Sequence, residues 1–109
     1  MLLYKISDTI VFSALKRIKY GFLEITKTNG EVLKFGNPDE NLKVSLQIKD
    51  ESLMYNLIKN GSVGLGESYM KDFFTTNNLS DLIELSAKAN LGKIKEYKVK
   101  INSLNINFP

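Results

Sequence analysis

The most restrictive feature of this chain is a change of hydrophobic period near residue 21. Up to Ile18 the apolar residues recur at helical spacing. From Phe22 they alternate: Phe22 to Thr26, then Asn29-Gly30, then Val32 to Phe35, closed by Gly36-Asn37-Pro38. An Asn-Gly pair between two alternating runs is the strongest short-range hairpin signal, because both central positions of a two-residue turn need positive φ. A third run, Leu42 to Lys49, puts Leu42, Val44, Leu46 and Ile48 on one side and Lys43, Ser45, Gln47 and Lys49 on the other. Such a strand has one buried and one wet face, so these residues predict a small antiparallel sheet that needs helices on its apolar side.

The helices are visible on both sides of that block. Ile6, Ile10, Ala14, Leu15 and Ile18 mark an amphipathic first helix, with Ser7 or Asp8 as its cap and Lys16, Arg17 and Lys19 near its end, where cations suit the dipole. This helix is basic and carries Phe12 and Leu15, so it has two destinations, a membrane surface or the domain's own sheet; the sheet is the favoured one. Asp50 or Ser52 caps a second helix with Leu53, Leu57 and Ile58 inward, and Asn60-Gly61 supplies its stop. Ser62 to Thr76 reads as a tight turn, a short helix and a brief extended piece. Asn78 or Ser80 opens a further helix with Leu82, Ile83, Leu85 and Ala89. The expected order is α-β-β-β-α-α-(β)-α, an α+β domain over residues 1–92 with a possible short fourth strand.

Residues 93–109 form a basic, amphipathic tail. Ile94, Tyr97, Ile101, Leu104 and Phe108 step as a helix seam does, while Tyr97, Val99 and Ile101 alternate with lysines as in a strand. The seam favours helix, and its apolar stripe suits a linker or an interface.

Composition narrows the chemistry. The chain has 43% hydrophobic and 25% charged residues, as an ordinary globular domain does. It has neither cysteine nor histidine, which removes thiolate nucleophiles, disulfides, the usual zinc ligands and the commonest general base. No apolar run approaches the roughly 18 residues of a membrane span, and no signal peptide opens the chain, so a cytoplasmic location is the default. The net charge of +3 divides into +4 from Lys88 onward and −1 before it. A single arginine, Arg17, and few aromatics among the lysines argue against nucleic-acid binding.

One segment carries more than fold. Gly61, Gly64 and Gly66 precede Glu67-Ser68-Tyr69-Met70, then Lys71-Asp72-Phe73-Phe74, then Asn78-Leu79-Ser80-Asp81-Leu82. The spacing G-x-x-G-x-G after a helix does not fit a nucleotide loop, which needs a strand before it. Backbone packing or positive φ is the expected role of Gly61, Gly64 and Gly66. Glu67, Tyr69, Met70, Phe73 and Phe74 are candidates for a lipid contact or pocket, against the plainer reading of the aromatics and Met70 as core.

This segment resembles the end of the N-terminal domain of cyclopropane-fatty-acyl-phospholipid synthases, the cyclopropane and mycolic acid synthase family. Those proteins show G-x-x-G-x-G-E-x-Y-M/I, then D-G-x-W, then a polar linker and a helix beginning with Leu. The upstream order is similar too, and the resemblance covers about residues 12–90. Two departures stand out. The family's Asp-Gly-x-Trp becomes Lys71-Asp72-Phe73-Phe74, and the methyltransferase domain that binds S-adenosylmethionine is not among these 109 residues.

The resemblance therefore implies a non-catalytic module without a cofactor of its own. It would bind phospholipid acyl chains or a membrane surface, or dock a methyltransferase domain, with a sterol-carrier-like shape and peripheral contact at the inner membrane surface. The alternative is a stand-alone structural or regulatory protein that forms a homodimer or binds a separate methyltransferase chain.

Overall fold

A computed structural model describes residues 2–88. Its elements are α1 (Leu2–Leu15), β1 (Phe22–Thr26), β2 (Val32–Gly36), β3 (Lys43–Ile48), α2 (Leu53–Met70), β4 (Phe74–Thr76) and α3 (Leu79–Lys88). Gly61 breaks α2 into two limbs, so the expected order α-β-β-β-α-α-β-α holds and the fold is α+β. The tail, with its helix-or-strand question, lies outside the described residues.

The alternation read from the sequence decides which side of each strand is dry. Leu23, Ile25, Phe35, Val44, Leu46, Ile48 and Phe74 are all buried on one face of the sheet. Helices cover that face with Val11, Leu15, Leu53, Met54, Ile58, Leu65, Leu82 and Leu85. On the other face Lys34, Lys43, Ser45 and Gln47 are exposed.

The sheet is not antiparallel throughout, as expected, but mixed, in the order β2-β1-β3-β4. β2 returns antiparallel to β1, with Leu23 opposite Phe35, and β4 runs antiparallel to β3. β3 pairs in parallel with the other side of β1, Leu23 facing Val44 and Ile25 facing Leu46. The connection explains the direction. β2 ends beside the start of β1, the chain then crosses under that start, and β3 sets out from the same end. Two hydrogen bonds pin the crossing: Asn37 N–H donates to the Gly21 carbonyl at 3.1 Å and Phe22 N–H to that of Leu42 at 2.8 Å.

The hairpin turn differs in type from the expected one. Gly30 has φ 88°, but Asn29 does not have positive φ. Gly30 N–H donates to the Lys27 carbonyl at 2.9 Å, and Lys27 N–H donates to Glu31 at 2.8 Å. This is a type I turn followed by one left-handed residue, a three-residue loop with a bulge. The Asn29 side chain accepts from the Glu31 N–H at 3.0 Å, which gives it a local partner without leaving the right-handed region.

α1 also departs from expectation in phase. It begins at Leu2, so Ser7 and Asp8 lie inside it and cap nothing. Its buried row is Leu3, Ser7, Val11 and Leu15, one residue out of step with Ile6, Ile10, Ala14 and Ile18, which flank the row half-buried. Ser7 fits this dry row because its hydroxyl donates to the Leu3 carbonyl at 2.9 Å, satisfying a buried polar group within its own helix. α1 packs along α2, with the Tyr4 and Tyr55 rings 5.8 Å apart, and it meets β2 through Phe12 and Phe35, 6.1 Å apart.

At the start of α2 the expected cap is shared. Ser52 occupies the cap position, but its side chain makes no capping bond to the helix backbone and within the helix only accepts from Asn56 Nδ2 at 3.3 Å. Its N–H and hydroxyl both donate to the Asp50 carboxylate, which turns the chain out of β3. The Lys49 and Asp50 N–H groups then donate to the Phe73 carbonyl at 2.8 and 3.0 Å, tying both ends of α2 to one oxygen.

Backbone packs tightly at Gly64, where an added Cβ would lie 2.3 Å from the Asn56 carbonyl oxygen. Gly64→Ala should therefore destabilise the domain by about 1–3 kcal/mol, the usual penalty for overpacking. Gly66→Ala, with nothing within 4 Å of its added carbon, should be neutral or stabilising. Urea denaturation of the two variants is the measurement.

Candidate functional site

The segment singled out by its glycines begins with a break. Gly61 has φ 60° and ψ −136° in the middle of α2, a backbone region open to glycine and strained for other residues. The helix resumes after it, and the second limb turns back so that Gly64 lies against the Asn56 carbonyl. Gly61 and Gly64 thus have the two roles expected of them. Gly66 has neither: it is an exposed helical residue in open space.

The limb has a buried and an exposed side. Gly64, Leu65 and Ser68 face inward. Val63, 66% exposed, and Met70, 86% exposed, face outward with Glu67 between them, and Tyr69 stands at the margin, 44% exposed. The five candidate contact residues are therefore not brought together into one pocket lining. Phe74 is 1% exposed and belongs to the core, with the Tyr69 ring 5.6 Å away. Phe73 is half-buried against that core, with the Lys71 ammonium 6.0 Å from its ring. Glu67, Tyr69 and Met70 remain at the surface.

The turn that follows survives the change from Asp-Gly to Lys71-Asp72. Asp72 takes φ 62°, the one described non-glycine residue with positive φ. Its N–H donates to the Tyr69 carbonyl at 3.1 Å and the Phe73 N–H donates to that of Ser68 at 2.9 Å. These are the two bonds of a Schellman motif, whose left-handed position usually holds glycine. An aspartate tolerates that conformation better than most residues, and here Lys49 Nζ meets Asp72 Oδ2 at 2.6 Å. Both side chains of the pair are largely exposed, so it adds little stability of its own.

The chemically unusual acid lies elsewhere, in α1. Asp8 is half-buried between helix and hairpin, and its pKa is raised from the ordinary 3.8 to about 6. Burial is the largest cause, Lys27 works against it, and Glu51 adds to it. Reading Asp8 as a cap hid this, because one helical stripe does not say which neighbouring elements close over its edge. Tyr55, against Tyr4, also has a raised pKa, mainly from burial. Among the described residues no three acidic side chains converge as a metal site would require.

Residues 10–98 match the sequence profile of a family described as Domain of unknown function (DUF7884). No curated protein and no solved structure matches the chain.

Two predictions follow from this geometry. Asp72→Gly should be neutral or stabilising, since the gain in backbone freedom at a left-handed position exceeds the loss of an exposed ion pair, whereas Asp72→Val should destabilise by about 1–2 kcal/mol; thermal melts of both check it. Asp8 binds its proton more tightly folded than unfolded, so it makes stability fall as pH rises from about 4 to about 6. Asp8→Asn should therefore raise the urea midpoint at pH 7.5, with a smaller gain at pH 5. An equal gain at both would refute the raised pKa.

Proposed function

We propose that this chain, which belongs to the DUF7884 family, is a non-catalytic docking module whose second α2 limb seats a methyltransferase domain of the cyclopropane synthase type. One observation carries the reading: Val63 and Met70 stand 66% and 86% exposed on a limb whose other side is locked against Asn56 through Gly64. Large apolar side chains held in water on a fixed support are what a contact surface offers, and methionine adapts its shape to a partner. The identity of the partner rests on the likeness of residues 61–70 to the cyclopropane synthase segment.

The same residues fit an acyl-chain pocket less well, because Phe74 already fills the space beneath them. The lack of histidine and cysteine supports a role without catalysis. A cytoplasmic location, at the inner membrane surface, belongs to the same proposal.

Titration calorimetry of the chain with an isolated cyclopropane synthase methyltransferase domain tests the seat. Binding is expected, and Met70→Glu should weaken it at least about ten-fold, equivalent to about 1.4 kcal/mol, with an unchanged melting temperature. Absence of binding, or binding indifferent to Met70→Glu and Val63→Glu, sinks the proposal. A homodimer that Met70→Glu dissociates would reassign the face to a second copy of the chain.

A further inference from the structure

We infer that the outward face of α1, with the turn that follows it, binds an anionic phospholipid surface. This face is distinct from the α2 seat, and the inference stands without that reading.

The helix is amphipathic in an unusual sense, because its outward side is not uniformly polar. Leu3, Ser7, Val11 and Leu15 point into the core. On the outward side Leu2, 73% exposed, lines a shallow groove of about 320 Å³ with Lys5, Ile6, Thr9 and Ile10. Beyond Leu15, where α1 ends, the turn adds Lys16, Arg17, Lys19 and Tyr20, all exposed. Lys16 N–H donates to the Phe12 carbonyl and Arg17 N–H to that of Ala14, both at 3.1 Å, so the helix tightens into a last turn that carries Lys16 and Arg17 before the chain leaves it. Tyr20 is 61% exposed, and a tyrosine of this kind suits the boundary between headgroups and acyl chains.

Charge selects the partner. Lys5, Lys16, Arg17 and Lys19 are exposed, and none has a carboxylate within ion-pair distance among the described residues. The one acid in the first 20 residues is Asp8, which is half-buried in the seam with Glu51 and Lys27 rather than placed among these cations. An apolar strip beside unpaired cations on one helix is the pattern of a helix lying in a membrane interface, where acyl contact and attraction to anionic headgroups act together. A nucleic acid would use the cations but leave Leu2 and Ile6 without a role, and Arg17 is the sole arginine. No described helix is long and apolar enough to cross a membrane, so the contact is peripheral.

Co-sedimentation of the intact chain with phosphatidylcholine vesicles, with and without phosphatidylglycerol, tests the inference. Binding should require the anionic lipid and fall steeply with salt. The triple variant Lys16→Ala, Arg17→Ala, Lys19→Ala should bind about 100-fold more weakly, at about five-fold per cation. Leu2→Gln should bind more weakly at unchanged salt dependence. Lys34→Ala with Lys43→Ala, on the outer face of the sheet, should bind as the parent does, and melting temperatures confirm that each variant folds. The inference is overturned by vesicle binding that ignores phosphatidylglycerol, by a triple variant that binds normally, or by equal affinity for duplex DNA at the same salt. None of these results bears on the methyltransferase seat, which is read by a separate assay.

Discussion

Everything in this domain is arranged around the dry side of β1. Leu23 and Ile25 are buried in a strand with neighbours on both edges. Two rows of side chains cross the sheet through them, Phe35-Leu23-Val44 and Leu33-Ile25-Leu46. Cross-strand rows of this kind are the unit of sheet stability, and they require a cover that excludes water. α1 supplies part of it through Val11 and Leu15, and α2 supplies more through Leu53, Met54 and Ile58. The placement of both candidate surfaces follows: α1 and α2 are held by their inner sides, so their outer sides are free to carry contacts.

Much of this was legible in the residues, and the misses have physical causes. Period-two alternation says which face of a strand is dry, and it did so for the run that became β3, where Val44, Leu46 and Ile48 are buried. It does not say which strand is the neighbour or in what direction it runs, so the parallel pairing of β3 with β1 was invisible. It depends on a crossing beneath Gly21 that hydrogen bonds, not hydrophobicity, hold in place. In α1 the helical period was plain while its phase was not, because Ser7 looked like a cap until its hydroxyl found the Leu3 carbonyl inside the dry row. Asn29-Gly30 marked the hairpin correctly, but one left-handed residue sufficed where two were expected.

The site shows the same division. The glycines signalled a backbone demand in common, packing or positive φ, without assigning it; Gly61 answers it as a break and Gly64 as a close approach. Spacing could not separate Gly66, which answers no such demand. It also could not tell core from surface within Tyr69, Met70, Phe73 and Phe74, for aromatic and apolar residues serve both. Where the resembling family has glycine after aspartate, this chain has Asp72, which adopts the left-handed conformation itself. The Asp8 seam was missed outright, because it is made by three segments distant in sequence.

The way the sheet is stitched also sets the order in which it can assemble. The β1–β2 pairing closes between Thr26 and Val32, whereas Ile48 must find Phe74 across about four times that length. Closing a loop about four times longer costs about 1.3 kcal/mol more in chain entropy. Most of that stretch is α2, and once the helix and its break at Gly61 have formed, its ends are brought to the Phe73 carbonyl together. β4 is thus conditional on α2, and the three-residue edge strand is the first part of the sheet to come loose. Local opening in this domain should begin at β4 and α3 and spare the hairpin.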